Sequence, residues 1–415
     1  MFGLREFPMN KPPPAPKRPR LAGRMLGLPP SLYTKILSRL QRHKGEVFPF
    51  HIGETYLLPV PEVMDALRQV DDAAVHHYGH PQGILELRSA IADHLQTRGQ
   101  PDVTPEDVVV THGATHGLNL ACQAILDPGD VMLVLSPHWP LINHMVHTAC
   151  AVPVEVPFST RLRRENVSAY DILNENILPR VRAVYVTSPN NPDGVVLRFE
   201  ELEDIARFCT EHDLYALVDE AYDSFHFGKR YRKMSSFPGM AERTISVHTF
   251  SKSFRMAGLR VGYNVAPPDV RHAMTRLANI SIYNVSLLTQ RAALRALNDC
   301  IASVEETVQS AKEAASYFCD QLDQVVEFQF LHPEGGAYVF ANLTEILQGQ
   351  DAFAFLGACL DVGIVFAPGA GFGKDYASFG RFCFTAMAPD HLERGTTLLL
   401  ETARKFQRTI RPISD

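Results

Sequence analysis

The sequence predicts an α/β protein with a mainly parallel seven-stranded sheet covered by helices, joined to a smaller α+β domain. Three observations lead there. Short apolar runs recur at 108–111, 131–135, 152–156, 181–187, 214–218, 244–248 and 260–265. Helical patterns lie between most of them, and such alternation builds parallel sheets buried on both faces. Beyond about residue 290 the alternation gives way to long helical stretches and shorter strands. Polar clusters follow several of the runs, and ligands of open parallel sheets bind at the carboxyl ends of strands. A chain of 415 residues also exceeds one simple core, so two or three domains are expected.

Composition narrows the class. The net charge of −6 gives no reason to expect nucleic acid or an anionic membrane as partner. Seven cysteines are scattered without a C-x-x-C pair, which reads as reduced thiols in a cytoplasmic protein. No apolar run approaches the roughly 20 residues that span a bilayer.

In chain order, residues 1–30 form a basic, proline-rich arm (KPPPAPKRPR at 11–20) without the apolar stretch of a secretory signal. Proline blocks a helix there, so an extended arm is expected, ahead of a nuclear or nucleic-acid reading of KRPR. Residues 31–44 read as a helix capped by Ser31. Gly53 and the prolines that follow mark a fixed loop, and Pro61 opens a helix over Glu62–Val70. His76, His77 and His80 crowd a turn before an amphipathic helix that runs to Leu95. Lacking a helical pair or a distant Cys/His partner, they carry no metal expectation. After residue 290 come a helical stretch Arg291–Leu322, strands Ala337–Ala341 and Arg381–Thr385, and a helix His391–Gln407. The expected organisation is the arm 1–30, an N-terminal part of the small domain 31–60, a large cofactor-binding domain 61–295 and a C-terminal small domain 296–415.

The chemistry clusters at strand ends. The run Thr244–Val247 leads into Thr249-Phe-Ser251-Lys252, with Arg260 eight residues beyond Lys252. A desolvated lysine near other cations loses its proton easily and can form a Schiff base with an aldehyde cofactor. Thr249, Ser251 and Arg260 would supply hydroxyls and a guanidinium fork to a phosphate beside it. A surface lysine after a core strand is the plainer reading, but the other strand ends argue against it. Gly113-Ala114-Thr115 follows Val108–Thr111 and opens a helix, whose N-terminal N–H groups favour a phosphate. Trp139, the only tryptophan, follows another strand end, where an indole can stack on an electron-poor ring. Asn191 precedes Pro192, so its backbone is biased extended and its amide can reach a ligand. Asp219 ends an apolar run, either as a helix cap or as partner to a buried cation. Tyr222 can donate to a ligand oxygen beside Asn191. Arg381 opens a late strand, and its bidentate fork suits a carboxylate.

Together these residues resemble the fold-type-I, pyridoxal-phosphate-dependent aminotransferases of class I/II, in the family's order and over about residues 45 to 405. The resemblance implies pyridoxal 5'-phosphate held as an aldimine on Lys252, with Gly113, Ala114 and Thr115 at its phosphate. It implies Asp219 at the ring nitrogen, and Asn191 and Tyr222 at the phenolic oxygen. It implies Gly53, Asn191 and Arg381 at the substrate, Arg381 taking its carboxylate. In Tyr78-Gly-His-Pro-Gln-Gly83 it implies that Tyr78 reaches the cofactor phosphate of a neighbouring subunit, hence a homodimer with shared sites. The chain departs from the family in its arm, in the Gly53-Glu-Thr-Tyr-Leu-Leu-Pro59 loop and in His138 before the tryptophan.

The expected reaction moves an amino group between an amino acid and a 2-oxo acid, in amino acid metabolism or biosynthesis. A lyase or oxidase on the same apparatus is the alternative, because orientation of the substrate sets the fate of the carbanion. A ligand-sensing regulator would need a DNA-binding module, and the arm shows no helix-turn-helix pattern. In aspartate-type members of the family a second arginine for a side-chain carboxylate follows the catalytic lysine by some thirty residues, in the partner chain. The corresponding stretch here, 278–290, contains no Arg or Lys but offers Ile282, Tyr283 and Asn284. With His51, Tyr56, Leu57 and His138 expected on the opposite wall, it points to a neutral, bulky or aromatic donor.

Overall fold

The computed structural model describes residues 21–26, 28, 40, 43–100, 102–228 and 232–410. The first 20 residues of the arm lie outside the described residues, as does most of the helix expected over 31–44; of the latter, Leu40 is helical and His43 and Lys44 are not. Within the arm, Gly23–Leu26 is a short helix and not extended chain. It falls in a proline-free stretch between Pro19 and Pro29, so the argument from proline does not reach it.

Seven strands form the large sheet: β1 Val108–Thr111, β2 Val131–Ser136, β3 Val152–Pro157, β4 Val181–Thr187, β5 Tyr215–Asp219, β6 Thr244–Thr249 and β7 Gly262–Val265. Their order is β1-β7-β6-β5-β4-β2-β3. Pairs from β3 through β6 are parallel, while β7 runs antiparallel to both β6 and β1. The sheet is buried on both faces, as continuous apolar strands require. Leu133, Val184 and Val218 enter one core. Their neighbours Met132, Val134, Tyr185 and Leu217 enter the core on the other face, following the two-residue period of a strand.

A second, antiparallel sheet has the order β10-β11-β9-β8, with β8 Gln329–Phe330, β9 Tyr338–Asn342, β10 Ala367–Pro368 and β11 Phe379–Cys383. Its core is aromatic: Phe366 stacks on Phe382 at 5.0 Å, and Phe50 on Phe318 at 5.5 Å. The N-terminal segment joins here through a bridge between Phe48 and Ile364, which brings Gly53 next to β9 and β11.

Several boundaries differ from expectation. Arg291–Leu322 is two helices, Leu287–Asp299 and Ile301–Leu322, separated at Cys300, whose φ of −122° leaves the helical region. No glycine or proline marks that break. The helix expected at Glu62–Val70 is Pro61–Leu67, and the last helix runs Pro389–Ile410. Among the described residues no helix is long and apolar enough to cross a membrane.

Candidate active site

Parallel strands β4, β5 and β6 end on one side, and the segments leaving them form the floor of a cavity of about 230 Å³. Asp219 is the last residue of β5. Its Oδ2 accepts the hydroxyl of Tyr185 at 2.9 Å and its Oδ1 the backbone N–H of Ala221 at 3.1 Å. Burial raises its carboxyl above the usual range, while those two bonds and the charges of Lys252 and His248 work against the rise. Among the described residues no basic side chain forms an ion pair with it. A buried carboxylate fixed by two donors and lacking a cation fits the protonated nitrogen of a ligand ring.

Lys252 leaves the end of β6. Its Nζ donates to the carbonyl of Gly53 and lies 5.7 Å from the Tyr222 ring centroid. Desolvation, helped by the charges of Arg381 and Arg260 and opposed by Cys383 and Glu54, brings its pKa down to about 8. Glycine is required at 53, because a Cβ there would collide with the Tyr338 hydroxyl.

The Arg260 end of the cavity is built on side chains whose geometry is fixed locally. Arg260 sits in the left-handed region at φ 52°, unusual for a residue with a side chain. That conformation lets its Nη1 donate to Ala257 O at 2.8 Å and Ser251 Oγ at 3.3 Å. Thr249 Oγ1 donates to Ser251 Oγ at 2.8 Å and accepts the Ser251 N–H at 3.1 Å. A Cβ on Gly113, itself at φ 77°, would sit 2.5 Å from Arg260 Nη2. The helix Gly113–Ile125 therefore starts against the guanidinium, with Ala114 and Thr115 lining the cavity. A cluster of hydroxyls, an arginine and a helix N-terminus is chemically suited to a phosphate.

At the other end, Arg381 of β11 is buried. Its Nη1 donates to Asn191 Oδ1 at 2.9 Å and its Nη2 to His51 O at 2.8 Å. The guanidinium lies 4.2 Å from the Tyr338 ring centroid and 5.0 Å from that of Phe372. Tyr338 Oη is 2.5 Å from Tyr222 Oη, so one aromatic ring ties the Arg381 end of the cavity to the Lys252 end.

Gly53, Ala114, Thr115, Trp139, Asn191, Asp219, Tyr222, Thr249, Ser251, Lys252, Arg260 and Arg381 all line this cavity. Gly113 touches it only through Arg260. Tyr78 lies outside its own chain's cavity, 84% exposed, with its ring 4.6 Å from that of Tyr283. The four residues expected to crowd the substrate wall do not line it. His51 meets Arg381 through its carbonyl, His138 turns to Glu155 at 3.1 Å, and Tyr56 borders a separate, smaller cavity behind Lys252. Leu57 lines neither cavity. Neighbourhood in sequence to a site residue does not fix which way a side chain turns.

Sequence reasoning missed Tyr185, Thr187, Tyr338 and Phe372. Gly335-Gly336 just ahead of Tyr338 was a usable signal, since paired glycines before a strand mark close backbone approach. A Cβ on Gly335 would collide with Phe225 O. On the far side of the 219–223 turn, Glu220, Asp223 and His248 lie close enough to hold a metal ion. The Lys233 ammonium already donates to Glu220 at 2.5 Å and Asp223 at 2.9 Å.

The seven-stranded order and this cavity fit the aminotransferase expectation, and comparison with known proteins shows the family. The chain matches the family "Aminotransferase class I and II" over residues 46–398. It is 32% identical over 367 residues to the aspartate/prephenate aminotransferase of Thermus thermophilus, covering 87% of this chain and 92% of that one. It is 30% identical over 380 residues to aromatic-amino-acid aminotransferase 2 of Thermococcus litoralis, covering 90% and 95%. A double mutant of Thermus thermophilus aspartate aminotransferase superposes with a TM-score of 0.85 at 29% identity, covering 93% of this chain and 100% of that one. The chain belongs to the class I and II aminotransferases and is a transaminase acting on amino acids; the relatives do not favour the lyase reading.

Proposed function

We propose that this transaminase uses pyridoxal 5'-phosphate, and that its amino donor carries a neutral, bulky or aromatic side chain. The observation that carries the reading is the lining of one cavity by four charged side chains, each with a separate task. Asp219 would hold the ring nitrogen protonated, Arg260 with Thr115, Thr249 and Ser251 the phosphate, Lys252 the aldehyde, and Arg381 the substrate carboxylate. When bound, the cofactor supplies an electron sink for the pair released at the substrate Cα.

The residues do the rest. Arg381, prepositioned by Asn191 Oδ1 and His51 O, orients the donor so that its Cα faces Lys252. The neutral amine of Lys252 takes the Cα proton and holds it for return. Asn191, which accepts from Arg381, and Tyr222, which bonds Tyr338, border the same space and would meet the phenolic oxygen. Trp139 would stack on the ring.

Among the described residues of one copy no further basic side chain lines the cavity, and the stretch 278–290, which the family resemblance would bring from the other copy, holds no Arg or Lys. A side-chain carboxylate would therefore lie desolvated without a partner, at a cost of several kcal/mol. Half-reaction rates for aspartate, phenylalanine, methionine and alanine test this. Phenylalanine or methionine should exceed aspartate; a clear preference for aspartate refutes it.

The same reading makes the active unit a homodimer in which Tyr78 of one copy reaches the phosphate of the other. The division into the arm 1–30, the segments 31–60 and 296–415 around the small sheet, and 61–295 around the large one belongs to this proposal. Its support is that Tyr78 packs at a tilt against Tyr283, at φ 65°, outside its own cavity, in the same region as exposed Ile280 and Ile282. Mixing Tyr78→Phe subunits with Lys252→Ala subunits should restore activity above either parent, because one site of the mixed dimer then carries neither defect. No recovery after demonstrated subunit exchange contradicts it. A cytoplasmic location is part of the proposal and rests on the dispersed free cysteines.

A further inference from the structure

The loop between β10 and β11 passes over the ends of β2 and β3 and is fastened there by a buried histidine and a half-buried carboxylate. Glu155, on β3, holds this junction. Its Oε2 accepts the backbone N–H of Lys374 at 2.8 Å, and its Oε1 lies 3.1 Å from His138 Nε2 and 3.0 Å from Asn143 Nδ2. His138 is 1% exposed and its other ring nitrogen lies 3.0 Å from the carbonyl of Trp139. Its backbone N–H donates to Phe372 O at 2.9 Å. These bonds hold the Glu155 carboxyl at about 2, the His138 bond contributing most.

Phe372, fixed by this junction, is buried against Phe340 and places its ring 5.0 Å from the Arg381 guanidinium. Trp139, next to His138, lines the cavity. One carboxylate thus clamps the loop that backs the arginine and the turn that presents the tryptophan. We propose that Glu155 is a positioning residue that sets the Arg381 guanidinium for the substrate carboxylate, through the Lys374 N–H, Phe372 and His138. It touches neither substrate nor cofactor. The inference rests on the reading of Arg381 as the carboxylate binder.

Glu155→Leu removes the acceptor of three donors and leaves the loop free to open. With the donor that reacts fastest in the amino acid panel, KM should rise roughly tenfold, about 1.4 kcal/mol, while kcat stays within about twofold. Trypsin should also cleave after the exposed Lys374 faster than in the parent enzyme, since cleavage follows local opening. Faster cleavage with unchanged KM overturns the proposal, as does a fall in kcat at constant KM. Arg381→Leu is measured in parallel. If it leaves KM unchanged, the reading of Arg381 is wrong and this inference falls with it. If it raises KM and Glu155→Leu does not, only the role of Glu155 fails. Should Glu155→Leu not fold, Glu155→Gln decides: it keeps a carbonyl oxygen for the Lys374 N–H but loses the charge facing His138. A KM raised about threefold is then expected, and an unchanged KM refutes the proposal.

Discussion

Lys252→Ala enzyme is expected to lose amino transfer by at least about 10⁴-fold while folding normally. The substitution removes both the amine that would hold the cofactor's aldehyde and the base at the substrate Cα. Among the described residues its ammonium donates to the Gly53 carbonyl, which can turn to water, and otherwise faces the Tyr222 ring at 5.7 Å. The parent amine, held at about 8 by desolvation, is neutral at pH 7 roughly three hundred times more often than an ordinary lysine at 10.5. Capture of pyridoxal 5'-phosphate by the cofactor-free protein should therefore accelerate as pH rises through about 8 and level off above it. A lysine of ordinary pKa would keep accelerating to beyond pH 10. The same shift bears on stability. Between about 8 and 10.5 the unfolded chain binds a proton at this site that the folded chain does not, so this group's contribution to stability rises with pH across that window. Lys252→Ala should flatten that rise.

Asp219→Asn should lower the rate by about 10²–10³-fold, the range for losing one preorganised electrostatic group, with no loss of stability in the cofactor-free protein. The asparagine still accepts from Tyr185 or Ala221, and it relieves a buried charge. Because burial raises the Asp219 carboxyl, the folded state holds its proton more tightly than the unfolded one. Its contribution to stability is therefore full below the ordinary carboxylate pKa and falls as pH climbs past it. At neutral pH the empty site carries that cost, and a cationic ring relieves it. Thermal stabilisation by added pyridoxal 5'-phosphate should consequently be larger in the parent than in Asp219→Asn. Equal stabilisation in both would place the ring nitrogen elsewhere.

Most of this site was legible in the sequence because its residues sit where the chain leaves β-strands. Asp219 ends β5, Thr249 ends β6 and Thr115 opens the helix after β1, and strand ends are marked by the change from apolar to polar residues. The continuous apolar runs of β2 and β4 likewise showed a sheet buried on both faces. Three-dimensional encounters across long separations were not legible. Tyr338 meets Tyr222 and Arg381 only because β9 pairs with β11 in a register set by the aromatic core. Tyr185 supports Asp219 only because β4 and β5 are parallel neighbours. His138 was read as a substrate-wall residue from its place beside Trp139, yet the acceptor on Glu155 turns it away. The break at Cys300 carried no glycine or proline, so one helical pattern concealed two helices.

The account turns on Lys252 being the residue that holds the cofactor. Purified enzyme saturated with pyridoxal 5'-phosphate, reduced with borohydride, digested and mapped by mass spectrometry, tests this most directly. The predicted result is one reduced pyridoxyl adduct per chain, located on Lys252, and none in Lys252→Ala protein treated alike. An adduct on another lysine of the parent, or a borohydride-stable cofactor persisting in Lys252→Ala, would contradict the account.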